Sequence, residues 1–214
     1  MRIGVLGTGV VGRTIASKLV SLGHEVKLGS RTPDNDAAAE WVASAGAGAS
    51  QGTFADAAAF GELVFNCTHG TASLDALAAA GAENLSAKVL VDVANALEVV
   101  DGRPTVATGD ESIAERIQAA FPDTRVVKSL NTMNCDVMVD PARVPGEHDV
   151  FVAGDDASAK EEVAGLLESF GWARDRIVDL GDISGARAAE LYVVLWIRMY
   201  GVFGTSQFNV HVVR

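Results

Sequence analysis

The stretch GVLGTGVVGRTIASKLVSLGHEVKLGSRTP, residues 4–33, decides the fold of this chain. Its first apolar run is followed by glycines, which predicts a short strand buried on both faces. Apolar residues at helical spacing then predict a helix over residues 10–22, and Gly23 ends it where a left-handed residue is favoured. A second strand is expected over residues 25–29. A strand, a glycine turn, a helix and a strand in this order begin a parallel sheet.

The glycine turn GTGVVG, residues 7–12, fits the pattern G-x-G-x-x-G between a strand and a helix. Gly7 permits the tight turn, Gly9 lets the backbone approach a pyrophosphate, and Gly12 allows the helix to pack closely on the strand. The start of the helix offers free N–H groups and the positive end of its dipole to phosphate oxygens. The turn therefore predicts a dinucleotide-binding site; the alternative is a glycine-rich turn without a ligand.

The end of the second strand carries Ser30, Arg31 and Thr32, where NAD-binding proteins usually place an acidic residue. A carboxylate at that position binds the ribose 2′-hydroxyl and would repel a 2′-phosphate. Hydroxyl donors and a guanidinium suit a phosphate instead, so the predicted ligand is NADP. Asp34 and Asp36 bring negative charge nearby, and we expect them to point outward and to interact with the dipole of the next helix. The alternative is that Arg31 is a solvated loop residue.

Strands and helices continue to alternate up to residue 130, which predicts a parallel sheet covered by helices on both faces. The second helix is expected to begin with Thr32 as its cap and Pro33 as its first residue. Further strands are predicted over residues 48–52, 63–67, 88–93, 125–129, 150–154 and 176–180. Further helices are predicted over residues 54–60, 112–120, 157–170 and 184–203, with one more within 68–81.

The chain after residue 130 loses this regular alternation. Residues 131–149 hold two prolines and little periodicity, which predicts a long loop of the kind that often serves function. The predicted fold class is α/β: a Rossmann-type parallel sheet with helices on both faces, plus a small C-terminal α/β extension. We expect an NADP-binding Rossmann domain over residues 1–130 and a small C-terminal domain over 131–214, which ends in an apolar helix.

The composition and the positions of a few residue types exclude several classes of protein. The 214 residues carry a formal charge of −11, so we expect no binding to nucleic acid or to anionic membrane surfaces. Glycines interrupt the apolar start, so no signal peptide is expected. The apolar run over 191–203 contains Arg198 and Gly201 and is too short to span a bilayer. Cys67 and Cys135 lie far apart and without metal-binding spacing, which predicts two reduced thiols rather than a disulfide, no metal site and a cytoplasmic protein.

Five segments carry a resemblance to a known family over nearly the whole chain. They are GTGVVGRTIASKLVSLGHEVKLGSR at 7–31, CTHGTA at 67–72, VDVANAL at 91–97, VVKSLNTM at 126–133 and GDISGARAAELYVVLWIRMYG at 181–201. In these segments the chain resembles the coenzyme F420-dependent NADP oxidoreductases. Related domains occur in membrane ferric reductases, where a flavin takes the place of the deazaflavin.

The resemblance implies the residues that surround two cofactors. The pyrophosphate of NADP would lie against Gly7, Thr8, Gly9, Val10, Val11 and Gly12. The 2′-phosphate would lie against Ser30, Arg31 and Thr32. Cys67, Thr68 and His69 would form the mouth of the site. The nicotinamide would lie beside Ala94, Asn95 and Ala96. The pocket of the second cofactor would be walled by residues 131–134 and the C-terminal helix.

The chemistry that the resemblance implies needs few reactive side chains. In the family the two ring systems stack and a hydride passes directly between them, which depends on position and orientation more than on acid–base groups. His69, Asn95 and Asn131 are the candidates for a catalytic role. The alternatives are that His69 caps a helix or faces water, that Asn95 stabilises its own turn, and that Cys67 is a small buried residue. For the C-terminal helix the alternative is that it belongs to the core or to a dimer interface and does not line a cofactor pocket.

The predicted function is hydride transfer between NADP(H) and a second cofactor, coenzyme F420, in a homodimer formed through the C-terminal helix. Two alternatives stay open. One is an NADPH-dependent reductase of a flavin or of a small imine or carbonyl metabolite, and the other is a non-catalytic NADP(H)-sensing protein. The loop at residues 131–134 discriminates among them, because only the first function needs a flat pocket for a tricyclic ring.

Overall fold

The computed structural model describes residues 1–213, and this range contains ten strands and nine α-helices. The strands are β1 Arg2–Leu6, β2 Glu25–Ser30, β3 Ala49–Thr53, β4 Leu63–Asn66, β5 Val89–Asp92, β6 Leu97–Val100, β7 Arg103–Val106, β8 Arg125–Ser129, β9 Val150–Ala153 and β10 Ile177–Asp179. The helices are α1 Val10–Ser21, α2 Asp36–Ala45, α3 Phe54–Phe60, α4 Ser73–Ala80, α5 Ala82–Leu85, α6 Ile113–Ala120, α7 Cys135–Val139, α8 Ala157–Phe170 and α9 Ala186–Phe203. None of these helices combines the length and the apolar character that crossing a membrane requires.

Eight of the strands in residues 1–213 form one sheet, in the order β10-β9-β8-β5-β4-β1-β2-β3. The six strands from β3 to β8 in this order are parallel. β9 is antiparallel to β8, and β10 is parallel to β9. The predicted α/β fold class with a Rossmann-type sheet is confirmed. Because β1 pairs with β2 on one side and β4 on the other, the strand order reverses there and a crevice opens at the carboxyl ends of β1 and β4.

The central strands are buried because alternate apolar side chains fill both faces of the sheet. On β1, Ile3 and Val5 join the cluster that includes residues of α1, α2, α7 and α8. Leu6 joins the opposite cluster, which includes residues of α3, α4, α6 and the start of α9. Both faces of the sheet are therefore covered, and the loops at the strand ends are held by a packed core.

Helix α2 begins later than the sequence predicts. Asn35 is its N-cap and accepts a hydrogen bond from the backbone N–H of Ala38 at 3.0 Å. Thr32, the predicted cap, instead donates its hydroxyl to the carbonyl oxygen of Asp34 at 3.4 Å. That part of the prediction is wrong because asparagine is the stronger cap and lies closer to the apolar face of the helix. The segment between Ser30 and the helix is therefore a loop beside the crevice.

Four short elements are absent from the sequence prediction, namely the strands β6 and β7 and the helices α5 and α7. β6 and β7 form a separate antiparallel hairpin whose turn residues, Asp101 and Gly102, have φ of 49° and 74°. Asp-Gly with positive φ at both residues is typical of a two-residue hairpin turn, a signal that the prediction overlooked. Helix α7 lies inside residues 131–149, for which the sequence predicts a long loop, and the side chain of Asn134 caps it.

The chain after residue 130 extends the same sheet through β9 and β10. Its last segment returns to the start of β9, where the backbone N–H of Asp149 donates to Val210 O at 2.8 Å and the Asp149 carboxylate accepts the N–H of Val212 at 2.5 Å. The division into a domain over 1–130 and a domain over 131–214 stays a prediction, and residue 214 lies outside the described residues.

Candidate functional site

The glycine turn lies at the carboxyl end of β1, against the loop that follows β4. Gly7 has φ of +115°, and a Cβ at this position would lie 2.7 Å from the carbonyl oxygen of Cys67. A Cβ on Gly12 would collide with the carbonyl oxygen of Gly7. The backbone N–H of Gly7 donates to Gly29 O at 2.9 Å. The fold itself therefore requires glycine at positions 7 and 12.

Gly9 differs because the fold places nothing against it. It is the N-cap of α1 with φ of −70°, and a Cβ built there would meet no atom of residues 1–213 within 4 Å. Within the same range no side chain caps α1, and its first turn holds no acidic residue. Val10, in that turn, is 62% exposed. The N–H groups of the first turn are thus available to a ligand, and the space beside Gly9 fits a phosphate group.

Two cavities meet at this turn. The first, called here the Arg31 cavity, has a volume of about 590 Å³, and its lining includes Gly7, Thr8, Gly9, Arg31, Phe54, Cys67, Thr68 and His69. The second, called the Asn95 cavity, has a volume of about 450 Å³, and its lining includes Gly9, Val10, Val11, Cys67, Thr68, His69, Ala94, Asn95, Asn131, Met133, Val193 and Trp196. The two cavities therefore adjoin at Gly9 and the loop after β4, whose residues line both of them.

A larger groove, of about 700 Å³, lies along the outer side of α1 between α2 and α7. Its lining combines cations such as Arg13 and Lys18 with carboxylates such as Glu40 and Asp136. Ligands of open α/β sheets bind at the carboxyl ends of the strands where the strand order reverses. The two cavities at the glycine turn therefore form the candidate site, although the groove has a larger volume than either cavity.

The loop after β2 presents the guanidinium group of Arg31 to the Arg31 cavity. Arg31 is exposed and forms no ion pair with another residue in 1–213. Ser30 is only 5% exposed, and its hydroxyl donates to the carbonyl oxygen of Thr32. The Ser30 side chain is therefore held by its own loop, and Arg31 is the group best placed to meet an anion.

The loop after β4 forms the shared wall of the two cavities. Thr68 donates its hydroxyl to Asn66 Oδ1 at 2.6 Å, which fixes the first turn of this loop. His69 is exposed, and its Nδ1 lies 2.9 Å from the hydroxyl of Thr71. Burial, helped by the negative charge of Asp92, raises the pKa of the Cys67 thiol well above its ordinary value. Cys67 is therefore a neutral thiol at neutral pH and not a nucleophile.

Asn95 and Asn131 form a reciprocal pair at the floor of the Asn95 cavity. Asn95 Nδ2 donates to the carbonyl oxygen of Asn131 at 2.9 Å, and Asn131 Nδ2 donates to Asn95 Oδ1 at 3.0 Å. The side chain of Asn95 thus bridges to the loop after β8. A catalytic role for Asn95 stays a prediction. The pair joins the loops that follow β5 and β8.

The alanines on either side of Asn95 have different surroundings. Ala94 contributes to the lining of the Asn95 cavity. Ala96, which was predicted beside the nicotinamide, is 2% exposed and packs in the apolar core, with its backbone directly against Gly70. Its backbone also accepts the N–H of Ala107 at 2.7 Å. Ala96 therefore supports the cavity from behind, because the chain turns from the site into the β6–β7 hairpin at this point.

A buried charged cluster lies directly behind the Asn95 cavity and is formed by Asp92, Lys128 and Glu190. Lys128 Nζ lies 2.8 Å from Asp92 Oδ2 and 2.7 Å from Glu190 Oε1, and it also donates to the carbonyl oxygen of Ala94. Burial alone would lower the pKa of Lys128, but the charges of Asp92 and Glu190 raise it, so the amine is protonated at neutral pH. All three N–H bonds of the ammonium group thus have acceptors.

The acidic members of this charged cluster tie other elements to it. Glu190, on α9, accepts the backbone N–H of Ile113 at the start of α6, with the nearer oxygen at 2.9 Å. Asp92 accepts Asn66 Nδ2 at 2.7 Å, and the same nitrogen lies 3.0 Å from Ser73 Oγ. The network therefore connects β4, β5, β8, α6 and α9 beneath the candidate site.

The sequence prediction missed the charged cluster. Its signal is a charged residue at the end of an otherwise apolar strand, as in VLVD and RVVKS, together with Glu190 in the apolar last helix. Such residues are rarely buried unless they are paired. The signal shows that Asp92 and Lys128 need partners, but it does not show which residues those partners are.

Three comparisons relate this geometry to known proteins. The family model for NADP oxidoreductase, coenzyme F420-dependent, matches residues 2–96. A crystal structure of a candidate F420-dependent NADP-reductase from Arthrobacter sp. FB24 is 48% identical, covers 100% of both chains and has a TM-score of 0.94. Metalloreductase STEAP3 from Rattus norvegicus is 29% identical over 192 residues, which are 88% of this chain. The chain spans 36% of the length of that relative.

More distant solved structures share the fold alone. One of them is a reductive aminase from Aspergillus terreus in complex with NADPH and ethyl levulinate, which is 21% identical to this chain with a TM-score of 0.66. The match covers 95% of this chain and 62% of the aminase chain. The 48% identity over the full length of both chains and the family model agree with the resemblance noted from the sequence, which is confirmed. The chain belongs to the coenzyme F420-dependent NADP oxidoreductase family, a family of oxidoreductase enzymes.

Proposed function

We propose that this protein transfers a hydride between NADP(H) and coenzyme F420. The observation that carries the proposal is the meeting of the Arg31 cavity and the Asn95 cavity at an uncapped helix start beside Gly9. A dinucleotide has its phosphates at the centre and a ring at each end, which matches two cavities that join at an anion-binding turn. The family description names both cofactors.

The residues at the turn would hold the central part of the nucleotide. The N–H groups at the start of α1 would bind the pyrophosphate, for which Gly9 leaves room. Arg31 would bind the 2′-phosphate through its guanidinium group. The local donors overcome the long-range repulsion that a chain of formal charge −11 exerts on an anionic ligand.

The Asn95 cavity would hold the nicotinamide and its reaction partner. When bound, NADP(H) supplies the hydride chemistry at its nicotinamide ring. The chain contributes the walls: Ala94 and the Asn95–Asn131 pair on one side, and Val193 and Trp196 of α9 on the other. These side chains would orient the two rings and exclude water, which is the main requirement of direct hydride transfer. His69 lies at the rim, where it is exposed, and no step requires it.

We also propose that the chain forms a homodimer through α9. The exposed apolar side chains of this helix are Leu191, Leu195, Tyr200, Val202 and Phe203, which are 45–70% exposed. A group of this size on one helix is typical of an interface. Sedimentation velocity should show a species of about twice the 22.2 kDa chain mass. A monomer at micromolar concentration would contradict the dimer.

The predicted cytoplasmic location stays a prediction. Cys67 and Cys135 are both free thiols, the state in which a reducing compartment keeps cysteine.

The first prediction concerns the choice between NADPH and NADH. Wild-type protein should bind NADPH at least about tenfold more tightly than NADH, a difference of about 1.4 kcal/mol. Arg31→Ala should remove most of this preference, because only NADPH carries the 2′-phosphate that the guanidinium meets. Isothermal titration calorimetry measures both affinities. Arg103→Ala, at an exposed position in the β6–β7 hairpin, is the matched control and should keep the preference. Equal affinity of the wild type for the two nucleotides would contradict the prediction.

The second prediction concerns the hydride acceptor. Wild-type protein with NADPH should reduce coenzyme F420, followed by the loss of the absorbance of the oxidised deazaflavin. Gly9→Val should abolish this turnover and NADPH binding while the circular dichroism spectrum is unchanged, because a Cβ there meets no atom of the described chain. If NADPH binds but F420 is not reduced, the F420 proposal is wrong. Reduction of a flavin or of a small imine or carbonyl compound would then identify a different reductase, and no turnover at all would favour an NADP(H) sensor.

A further inference from the structure

The charged cluster behind the Asn95 cavity holds two carboxylates and one cation. Asp92, Lys128 and Glu190 are each at most 1% exposed. The described contacts of Asp92 and Glu190 oxygens are all with N–H donors, from Asn66, Lys128, the backbone of Ala94 and the backbone at the start of α6. Burial and the charge of Asp92 raise the pKa of Glu190 above its ordinary value, whereas Lys128 and the N–H of Ile113 oppose that rise. A protonated carboxyl group would need an acceptor for its own hydrogen, so these contacts favour the carboxylate form of both residues. The cluster therefore carries a net charge of −1 in the interior.

This charge lies immediately behind the wall of the Asn95 cavity. Lys128 donates to the carbonyl oxygen of Ala94, and Asp92 Oδ1 lies 3.4 Å from the backbone nitrogen of the same residue. Ala94 lines the cavity, and so does Val193, which lies one helical turn beyond Glu190 on α9. The charges of the cluster are thus separated from the cavity by single residues. Charge acts strongly over such distances where water is excluded.

We infer that the charged cluster makes the Asn95 cavity favour the oxidised, cationic form of the nicotinamide over the neutral reduced form. The inference rests on the proposed function, which places the nicotinamide in this cavity. Two electrons and one proton leave the dihydronicotinamide as a hydride, and the acceptor ring takes the hydride and one further proton from water. The charge of the nicotinamide ring thereby changes from zero to +1. The charges of the pyrophosphate and the 2′-phosphate do not change. A fixed negative charge beside the ring stabilises the product of this change and favours hydride donation by NADPH.

Two neighbouring groups, Arg31 and Cys67, do not produce this preference. Arg31 lies in the other cavity and would meet the 2′-phosphate, which both forms of the nucleotide carry. Cys67, in the shared wall, is a neutral thiol because burial raises its pKa. The ratio of the affinities for NADP⁺ and NADPH therefore separates the effect of the charged cluster from the binding of the phosphates.

The test is the ratio of the dissociation constants for NADP⁺ and NADPH, measured by calorimetry on wild type and on Glu190→Gln. Glutamine keeps the oxygen that Lys128 and the N–H of Ile113 share, but it removes one negative charge. The ratio of the NADP⁺ constant to the NADPH constant should rise about threefold or more, the size expected for one charge acting across a partly polar interior. NADP⁺ binding should account for most of the change.

A second variant and a control separate charge from structure. Asp92→Asn removes the other negative charge and should raise the same ratio. Glu162→Gln makes the same chemical change at an exposed position of α8 and should leave the ratio as in wild type. If the two cluster variants fold by circular dichroism and bind both nucleotides with the wild-type ratio, or lose affinity for both equally, the inference is overturned. If the wild type binds neither nucleotide, the proposed function fails and the inference fails with it.

Discussion

The ammonium group of Lys128 is the interaction on which the arrangement of the site depends. Its hydrogen-bond acceptors come from the end of β5, the loop after it, and α9. A buried charge without a partner lowers the free energy of unfolding. Loss of one partner of a buried ion pair typically lowers it by about 3–5 kcal/mol. The three acceptors can be satisfied together only when α9 lies against the end of the sheet. The buried charge therefore fixes the position of α9, and with it the wall of the Asn95 cavity.

The glycine turn places a second constraint on the same region. Glycine at positions 7 and 12 is required by contacts within the protein, whereas glycine at 9 leaves space that the described chain does not fill. The turn and the charged cluster have opposite electrostatic character. The start of α1 and Arg31 offer hydrogen-bond donors and positive charge, and the cluster holds excess negative charge. An NADP molecule bound as proposed, across the Arg31 cavity and the Asn95 cavity, would have its anionic groups near the glycine turn and its nicotinamide near the charged cluster.

The sequence predicts the β1–α1–β2 unit well because strong local signals agree there. The apolar periodicity, the glycines and the left-handed position after α1 each indicate the same boundaries. The start of α2 is predicted wrongly because Thr32-Pro33 and Asn35 are competing start signals a few residues apart. The hairpin at Asp101-Gly102 is predictable from the sequence, because Asp-Gly is a dipeptide typical of two-residue hairpin turns. Helix α7 was not, because five residues carry too little periodicity to reveal a helix.

The glycine turn and Arg31 could be predicted as binding residues from the sequence, because the residues that form each pattern are adjacent along the chain. The charged cluster could not, because its members lie 36 and 62 residues apart from Lys128 along the chain and meet only in the folded protein. The pairing of Asn95 with Asn131 is equally long-range, and the sequence supplied the two candidates but not their contact. Local patterns thus identify the half of the candidate site that we propose binds the phosphates, and tertiary packing defines the half where the rings would meet.

A crystal structure of the protein with NADPH bound tests the proposed nucleotide site most directly. The pyrophosphate should accept hydrogen bonds from the first turn of α1, the 2′-phosphate should contact Arg31, and the nicotinamide should lie against Ala94 and Asn95. A nucleotide bound in the groove between α1, α2 and α7, or a nicotinamide outside the Asn95 cavity, would contradict the proposal.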